Sequence, residues 1–262
     1  LGKSGFGAVA KNGVIDLTGR LDPEINTIKD LITLNMENDA EEYIAGKTED
    51  LSLSDITFLP VIPNPEKIMC IGLNYLEHKK ETGRPDVDNP TIFTRFADSQ
   101  VAHLQPLIKP DKSDRFDYEA EMAIVIGKGG RFISDKDALN HIAGYSCYND
   151  GSVRNYQRHT SQFTPGKNFP GTGGFGPYLV TSSEVGDYRK LPIELRLNGN
   201  VMQKATLDDL IFPIPRLISY ISEFTALSSG DVIVTGTPVG VGDKRNPPVY
   251  MVPGDIVEVD IG

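Results

Sequence analysis

The chain has 262 residues, and its 36 acidic and 26 basic side chains give a formal net charge of −10. This negative charge argues against nucleic acid or an anionic membrane surface as the main partner, because both bind a basic face. Apolar residues make up 39% and charged residues 24% of the chain, which excludes wholesale disorder. The 26 glycines and 18 prolines follow no period, and they predict a turn-rich, mainly β protein.

Cysteine use and hydropathy bear on where the protein works. Cys70 and Cys147 lie in apolar segments, and buried free thiols are typical of a reducing compartment. The sequence contains no run of about 18 apolar residues, so no membrane span is expected. Its first residues do not resemble a basic-then-apolar leader. We therefore expect a cytoplasmic protein.

The chain is predicted to form a small N-terminal domain, residues 1–62, and a larger domain, residues 63–262. In the first, FGAVAKNGVIDLTG has the pattern of a β-hairpin that turns at Asn12-Gly13. Apolar residues recur at helical spacing between Thr27 and Gly46. Three prolines in LPVIPNPEKI then mark a linker.

Strand patterns dominate the larger domain. The candidate strands are KIMCIGLNY, EAEMAIVIG, HIAGYSCYN, GPYLVT, IELRLNG, DVIVTGTP and DIVEVDIG, and the candidate helices are YLEHKKETG, DKDALNHI and PRLISYISEFTAL. Many strands and few helices predict a β-rich sandwich, barrel or roll.

Three carboxylates are candidates for a cation site. Glu119 and Glu121 are two residues apart in RFDYEAEMAIVIG, so on a strand both side chains share one face. Asp150 ends the apolar run that begins at Ile142, and strand ends often present functional side chains. Converging carboxylates suit Mg²⁺ or Mn²⁺. The alternatives are a solvated acidic strand edge for the two glutamates and a turn residue for Asp150.

A basic residue and a histidine add to these candidates. Arg154 follows Asp150 by four residues, so it could hold a carboxylate beside a metal or form a surface ion pair with Asp150. His78 and Glu81 are neighbours on a predicted helix that Gly83-Arg84-Pro85 would end. A carboxylate beside an imidazole raises the imidazole pKa and fixes its tautomer, which suits a general base. The alternative is a solvated charge cluster, EHKKE.

Two glycine-rich segments complete the set. Lys167 is the one charged residue in FTPGKNFPGTGGFGP, where it could stabilise an enolate or bind a carboxylate, or be an exposed loop lysine. Thr237 follows a predicted buried strand in SSGDVIVTGTPVGVG, and that turn presents backbone N–H groups that can bind an anion. The segment matches neither a Walker loop nor a dinucleotide fingerprint.

Taken together and in order, these motifs resemble the fumarylacetoacetate hydrolase family. The sequence shows His-x-x-Glu after GLNY, then DYE-x-E, ND-x-S-x-R-x-x-Q, GK and DVI-x-TGTP-x-GVG. The resemblance runs from about Lys67 to the last residue. It implies a mainly β (α+β) fold, a mixed β-sandwich roll, assembled as a homodimer. It further implies the following roles: metal ligands Glu119, Glu121 and Asp150; a His78–Glu81 dyad on a mobile lid; an active-site Lys167; and substrate contacts from Arg154, Gln157 and Thr237.

The same resemblance implies a metal-dependent enzyme that acts on a 2-oxo acid. Our first hypothesis is hydrolysis of the C–C bond of a 2,4-dioxo acid, such as an acylpyruvate or fumarylpyruvate, with Mg²⁺ or Mn²⁺. The alternatives through the same enolate are decarboxylation of an oxaloacetate-like acid and keto–enol or double-bond isomerisation in aromatic catabolism. An alternative of another class is a non-catalytic protein that binds small molecules.

Overall fold

The computed structural model describes residues 2–11, 13–83 and 87–262. The chain divides into two compact units, Leu1–Phe58 and Leu59–Gly262. Asn12, predicted at the hairpin turn, and Arg84 and Pro85, predicted at the end of the lid helix, lie outside the described residues.

The N-terminal unit contains a small antiparallel sheet and two helices. Its elements are strands β1 (Gly7–Ala10), β2 (Gly13–Asp16) and β3 (Leu51–Ser52) and helices α1 (Ile28–Thr33) and α2 (Glu37–Ile44). Strand β2 pairs with both β1 and β3. The helical pattern from Thr27 to Gly46 is split in two at Asn35, which has a φ of 56°. Asparagine tolerates this left-handed conformation, which ends the first helix.

The larger unit consists mainly of strands. They are β4 (Ile68–Gly72), β5 (Thr91–Arg95), β6 (Gln100–Val101), β7 (Phe116–Asp117), β8 (Ala120–Ile126), β9 (Ile142–Asp150), β10 (Ser152–Val153), β11 (Gly173–Phe175), β12 (Val180–Thr181), β13 (Pro192–Leu197), β14 (Asn200–Thr206), β15 (Val232–Val234) and β16 (Val257–Asp260). Its α-helices are α3 (Leu76–Thr82), α4 (Arg154–Gln157), α5 (Thr164–Lys167), α6 (Ser182–Val185) and α7 (Ile214–Phe224). The segment DKDALNHI, predicted as a helix, contains only a 3₁₀ turn over Ala138–His141.

A mixed sheet organises this unit. Its strand order is β5-β4-β15-β8-β9-β11-β6, with β12 on β9. The β4–β15 and β6–β11 pairs are parallel, and the other pairs are antiparallel. Strand β8 is buried along its whole length, because its run AEMAIVI offers both faces of a central strand to apolar neighbours.

A second sheet, β14-β13-β16, covers part of the first. Strand β13 lies against β8, and β16 lies against β9. Their inward side chains and helix α7 share one apolar core, which includes Ile124, Leu195 and Leu217. The prediction of a mainly β, α+β sandwich is therefore confirmed. Within the described residues, no helix has the length and apolar character needed to cross a bilayer, and Cys70 and Cys147 are both free.

Candidate active site

Strand pairing brings the three predicted carboxylates together. Glu119 directly precedes β8, Glu121 is its second residue, and Asp150 ends β9. The Asp150 N–H donates to the Glu119 carbonyl at 2.8 Å, which places these two residues side by side. One carboxylate oxygen from each of the three residues lies within 4.8 Å of the others. All three side chains are buried and Asp150 lies within β9, so the solvated strand edge and the turn residue are both wrong. We call these three residues the carboxylate triad.

Basic side chains contact two members of the triad. The Lys167 ammonium lies 2.6 Å from Glu119 Oε2 and 2.5 Å from Asp150 Oδ2. Arg154 lies 2.7 Å from Glu119 Oε1 and binds Asp117 through its Nε at 2.8 Å. Lys167 is only 1% exposed, so the exposed-loop alternative is wrong. The alternative ion pair between Arg154 and Asp150 is also wrong, because both are buried and each binds other partners.

Burial and neighbouring charges shift the pKa values of Glu119 and Glu121 in opposite directions. Burial acts to raise the pKa of Glu119, but Lys167 and Arg154 outweigh it and hold that pKa at about 2. The pKa of Glu121 is raised well above 4.5, first by burial and then by the charges of Asp150 and Glu119. Glu121 accepts a hydrogen bond from the Gly236 N–H at 2.6 Å. No ion pair forms on it within the described ranges. Its negative charge is therefore the least compensated of the three.

The donor set fits a hard divalent cation. Oxygen ligands from three carboxylates are what Mg²⁺ and Mn²⁺ prefer. Around the triad, four buried carboxylates meet three buried basic groups; these are Asp117, Glu119, Glu121 and Asp150, against Arg95, Arg154 and Lys167. The surplus negative charge and the raised pKa of Glu121 are both relieved by a bound cation. The residues present therefore fit a divalent metal ion.

A cavity of about 350 Å³ opens beside the triad. Seven of the nine predicted site residues line it, namely His78, Glu119, Glu121, Arg154, Gln157, Lys167 and Thr237. The other two, Glu81 and Asp150, contact His78 and Lys167. The cavity walls also contain apolar side chains, among them Ile71, Phe93 and Phe163. These walls limit water around the charged groups.

Helix α3 holds the His78–Glu81 pair at the cavity. His78 Nδ1 lies 3.0 Å from Glu81 Oε2, so the carboxylate fixes the ring orientation and leaves the other ring nitrogen for a ligand. The other oxygen of Glu81 accepts a long hydrogen bond, 3.4 Å, from the Gly240 N–H. His78 is only 6% exposed, so the solvated charge cluster is wrong for this residue.

The TGTPVGVG turn serves the protein's own carboxylates rather than an external anion. Its N–H groups donate to Glu121 from Gly236, to Glu81 from Gly240 and to Asp117 from Gly242. Gly236 has a φ of 101°, and a Cβ there would lie 2.7 Å from Asn74 Cβ. Only glycine satisfies both constraints, which explains the residue at this position.

Two predicted substrate contacts have fixed orientations. The Thr237 hydroxyl accepts a hydrogen bond from Gln203 Nε2 at 2.8 Å, which leaves its own proton to donate into the cavity. Gln157 accepts from Arg154 Nη1 at 3.0 Å. The second terminal nitrogen of Arg154, Nη2, is buried and has no hydrogen-bond partner in the part of the chain that the structure describes.

Sequence reasoning missed three buried side chains that support the site. Asp117 accepts from Arg154 and from the N–H groups of Gly242 and Asp243. Gln203 orients Thr237, and Arg95 binds Asp150 at 2.5 Å. Asp117 belongs to the DYE-x-E motif, where it could have been noticed. Arg95 and Gln203 lie in ordinary strand patterns that carry no local signal.

Comparison with known proteins identifies the family. Residues 67–262 match the family model described as fumarylacetoacetate (FAA) hydrolase C-terminal. The chain belongs to the fumarylacetoacetate hydrolase family. This family member is 42% identical over 224 residues to a curated protein of Xenopus laevis, oxaloacetate tautomerase fahd2, mitochondrial. The match spans 85% of this chain and 70% of the relative.

Solved structures of relatives share the fold. Fumarylacetoacetate hydrolase from Exiguobacterium antarcticum superposes with a TM-score of 0.82 at 32% identity, covering 95% of this chain and 87% of that one. Fumarylpyruvate hydrolase from Pseudomonas aeruginosa, solved with Mn²⁺ and pyruvate, gives 0.69 at 31% identity, covering 80% of this chain and 88% of that one. The predicted family and its fold are confirmed. The chain is therefore an enzyme of the fumarylacetoacetate hydrolase family.

Proposed function

We propose that this enzyme interconverts the keto and enol forms of oxaloacetate at a divalent cation held by Glu119, Glu121 and Asp150. The observation that carries the proposal is that Glu119, Glu121 and Arg154 line one cavity, that Asp150 lies beside these two glutamates, and that Arg154 Nη2 has no hydrogen-bond partner among the described residues. A cation site next to a buried guanidinium donor suits a 2-oxo acid, whose carboxylate is an anion and whose keto oxygen is a metal ligand. The Xenopus laevis relative, an oxaloacetate tautomerase by name, favours this reaction among those open to the family.

Arg154 is the proposed anchor for the 2-oxo acid carboxylate. Asp117 and Glu119 hold the guanidinium on two sides, so Nη2, which has no hydrogen-bond partner among the described residues, has a fixed direction. A buried donor without a partner costs roughly 1–3 kcal/mol, more for a charged group, and a bound carboxylate would recover that energy.

We propose that positively charged side chains at the mouth of the cavity bind the second carboxylate of oxaloacetate. Arg158 and Lys244 line the cavity and are both exposed. Arg158 forms an ion pair with Asp243, whereas the Lys244 ammonium has no ion pair among the described residues. The mouth therefore carries a surplus positive charge, which favours a dicarboxylate over a monocarboxylate.

Proton transfer is assigned to His78. When bound, the cation would polarise the 2-keto group and stabilise negative charge on its oxygen. In this proposal His78, oriented by Glu81, removes and returns a proton at C3 of the substrate. Thr237 donates to a substrate oxygen, and the apolar walls keep bulk water away from the reacting carbons.

Hydrolysis of a 2,4-dioxo acid is the second candidate, and the same His78–Glu81 pair favours it. An imidazole backed by a carboxylate can activate water as readily as it moves a carbon-bound proton. Attack on the 4-carbonyl would then release pyruvate, or a substituted pyruvate, and a carboxylic acid. Decarboxylation of oxaloacetate would need no base for water at all.

Three parallel assays distinguish these reactions. Purified enzyme with Mn²⁺, or with EDTA, is mixed with oxaloacetate to follow loss of enol absorbance and pyruvate release, and with acetylpyruvate to follow pyruvate release. The proposal predicts EDTA-sensitive enol–keto conversion without pyruvate release above the enzyme-free rate. Pyruvate from acetylpyruvate would establish the hydrolase, and pyruvate from oxaloacetate would establish the decarboxylase.

The cellular compartment stays a prediction, since the sequence favours the cytoplasm and the Xenopus laevis relative is named as mitochondrial.

A further inference from the structure

Arg95, the last residue of β5, forms an ion pair with Asp150. Its side chain is completely buried. Nη1 donates to Asp150 Oδ1 at 2.5 Å and to the Gly151 carbonyl at 3.1 Å. Lys167 contacts the other carboxylate oxygen, Oδ2, also at 2.5 Å. The two oxygens of Asp150 therefore have separate partners.

The direction of the Arg95 guanidinium is itself fixed. Nη2 donates to Thr172 Oγ1 at 2.8 Å, and Nε donates to Ser99 Oγ at 3.3 Å. Both hydroxyls are committed as donors to backbone carbonyls, so they accept from Arg95. A Cβ at Gly173 would lie 2.9 Å from Nη2, so the backbone closes the remaining side. A planar guanidinium held at all three nitrogens has one orientation.

We propose that Arg95 is a positioning residue for the cation site: it binds Asp150 Oδ1 and so holds Oδ2 in place as a ligand for the cation. This inference rests on the proposed cation site. Arg95 does not line the cavity. Its role is to hold one ligand in a single rotamer, and hydrogen-bonded partners of metal ligands typically contribute 10–100-fold to metal affinity.

The positive charge of Arg95 and its ordering of Asp150 have opposite effects on metal affinity. The direction in which metal affinity changes on mutation therefore distinguishes the two effects. As a bare positive charge, Arg95 repels a divalent cation, so removing the charge would tighten metal binding. As a positioning group, it orders Asp150, so removing it weakens metal binding. A purely structural role would lower thermal stability and leave the affinity of the folded protein unchanged.

The experiment compares Mn²⁺ dissociation constants of metal-free Arg95→Gln and Arg95→Lys with those of the unmodified enzyme, measured by electron paramagnetic resonance of free Mn²⁺. Arg196→Gln is the matched control, because Arg196 also pairs with carboxylates, Glu194 and Asp260, but in the second sheet. We expect Arg95→Gln to weaken Mn²⁺ binding by about 10–100-fold. Arg95→Lys, which keeps the charge but cannot reproduce the fork, should also bind more weakly, and Arg196→Gln should bind normally.

Unchanged or tighter binding by folded Arg95→Gln would overturn the inference. If Arg95→Gln does not fold, the decision rests on Arg95→Lys, for which normal affinity would have the same consequence. Enzyme that binds Mn²⁺ but does not convert oxaloacetate would contradict the proposed reaction and leave the Arg95 test intact. Unmodified enzyme that binds no Mn²⁺ would overturn both.

Discussion

Asp150 and Glu121 belong to one carboxylate triad but have opposite surroundings. Asp150 binds Arg95 and Lys167, each at 2.5 Å. Glu121 accepts a backbone N–H from Gly236, and within the described residues no basic side chain forms an ion pair with it. Removing one charge should therefore have very different effects on the metal-free protein at the two positions.

We expect Glu121→Gln to abolish tight Mn²⁺ binding while leaving the metal-free protein at least as stable as before. Glutamine can still accept the Gly236 hydrogen bond, and the substitution removes repulsion from Asp150 and Glu119. Calorimetric unfolding and Mn²⁺ titration check both parts. Glu258→Gln, at an exposed carboxylate on β16, is the control and should change neither. A Glu121→Gln protein with normal Mn²⁺ affinity would remove Glu121 from the ligand set.

Asp150→Asn should instead destabilise the metal-free protein. The substitution leaves two buried cations without their shared partner, and breaking a buried pair in this way costs about 3–5 kcal/mol. Denaturant unfolding of the metal-free protein measures the loss. A stability equal to that of Glu121→Gln would show that the ion pairs of Asp150 do not contribute as described.

The raised pKa of Glu121 predicts a pH dependence. Folded protein holds this proton more tightly than unfolded chain, so stability is lost as pH rises from 4.5 through the raised pKa. Metal-free enzyme should therefore lose stability relative to Glu121→Gln over that window, and Mn²⁺ affinity should rise over the same range as the proton leaves. Melting temperatures of both proteins across this range give the comparison, and parallel curves would contradict it.

Local pattern predicted most of the fold but only part of the site. The apolar run of β8, the DVIV segment of β15 and the helical spacing of α7 each predict their element, because burial dictates residue type along the chain. Spacing and a strand end make Glu119, Glu121 and Asp150 candidates, and the resemblance to the family implies their role as metal ligands. Arg95 and Gln203 were not predicted, because their roles depend on partners 55 and 34 residues away. Such contacts exist only after the sheet has formed.

The TGTPVGVG turn shows a second limit of pattern reading. Its N–H groups suggested an anion site, and they do bind anions, namely Glu121, Glu81 and Asp117. The prediction that these N–H groups bind an anion was right. The sequence of the turn alone could not show that the anions are carboxylates of the same chain. Tertiary packing supplies the partner.

His78→Ala should reduce turnover of oxaloacetate by roughly 10²–10⁴-fold without changing Mn²⁺ affinity, because its proposed task is proton transfer. Glu77→Gln is the matched control on the same helix, since Glu77 is exposed and pairs only with Lys80 at 2.6 Å among the described residues. Stopped-flow loss of enol absorbance gives the rate. A rate equal to that of the control would remove His78 from the mechanism.

Lys244→Gln should weaken recognition of the second carboxylate. Oxaloacetate differs from pyruvate by a carboxylate on C3, so the KM for oxaloacetate should rise while the inhibition constant of pyruvate stays unchanged. For an exposed charge, an effect of about 0.5–1 kcal/mol, or two- to fivefold, is expected. Lys190→Gln, at an exposed lysine outside the cavity, is the control. Equal changes for both ligands would mean that Lys244 does not read the second carboxylate.

We propose that the carboxylate triad holds a divalent cation at which a 2-oxo acid binds. A crystal structure with Mn²⁺ and pyruvate, with anomalous scattering to locate the metal, tests it most directly. We predict one Mn²⁺ with an oxygen ligand from each of Glu119, Glu121 and Asp150, and a pyruvate carboxylate on Arg154 Nη2. Manganese bound elsewhere, or a triad without metal at saturating Mn²⁺, would contradict this account.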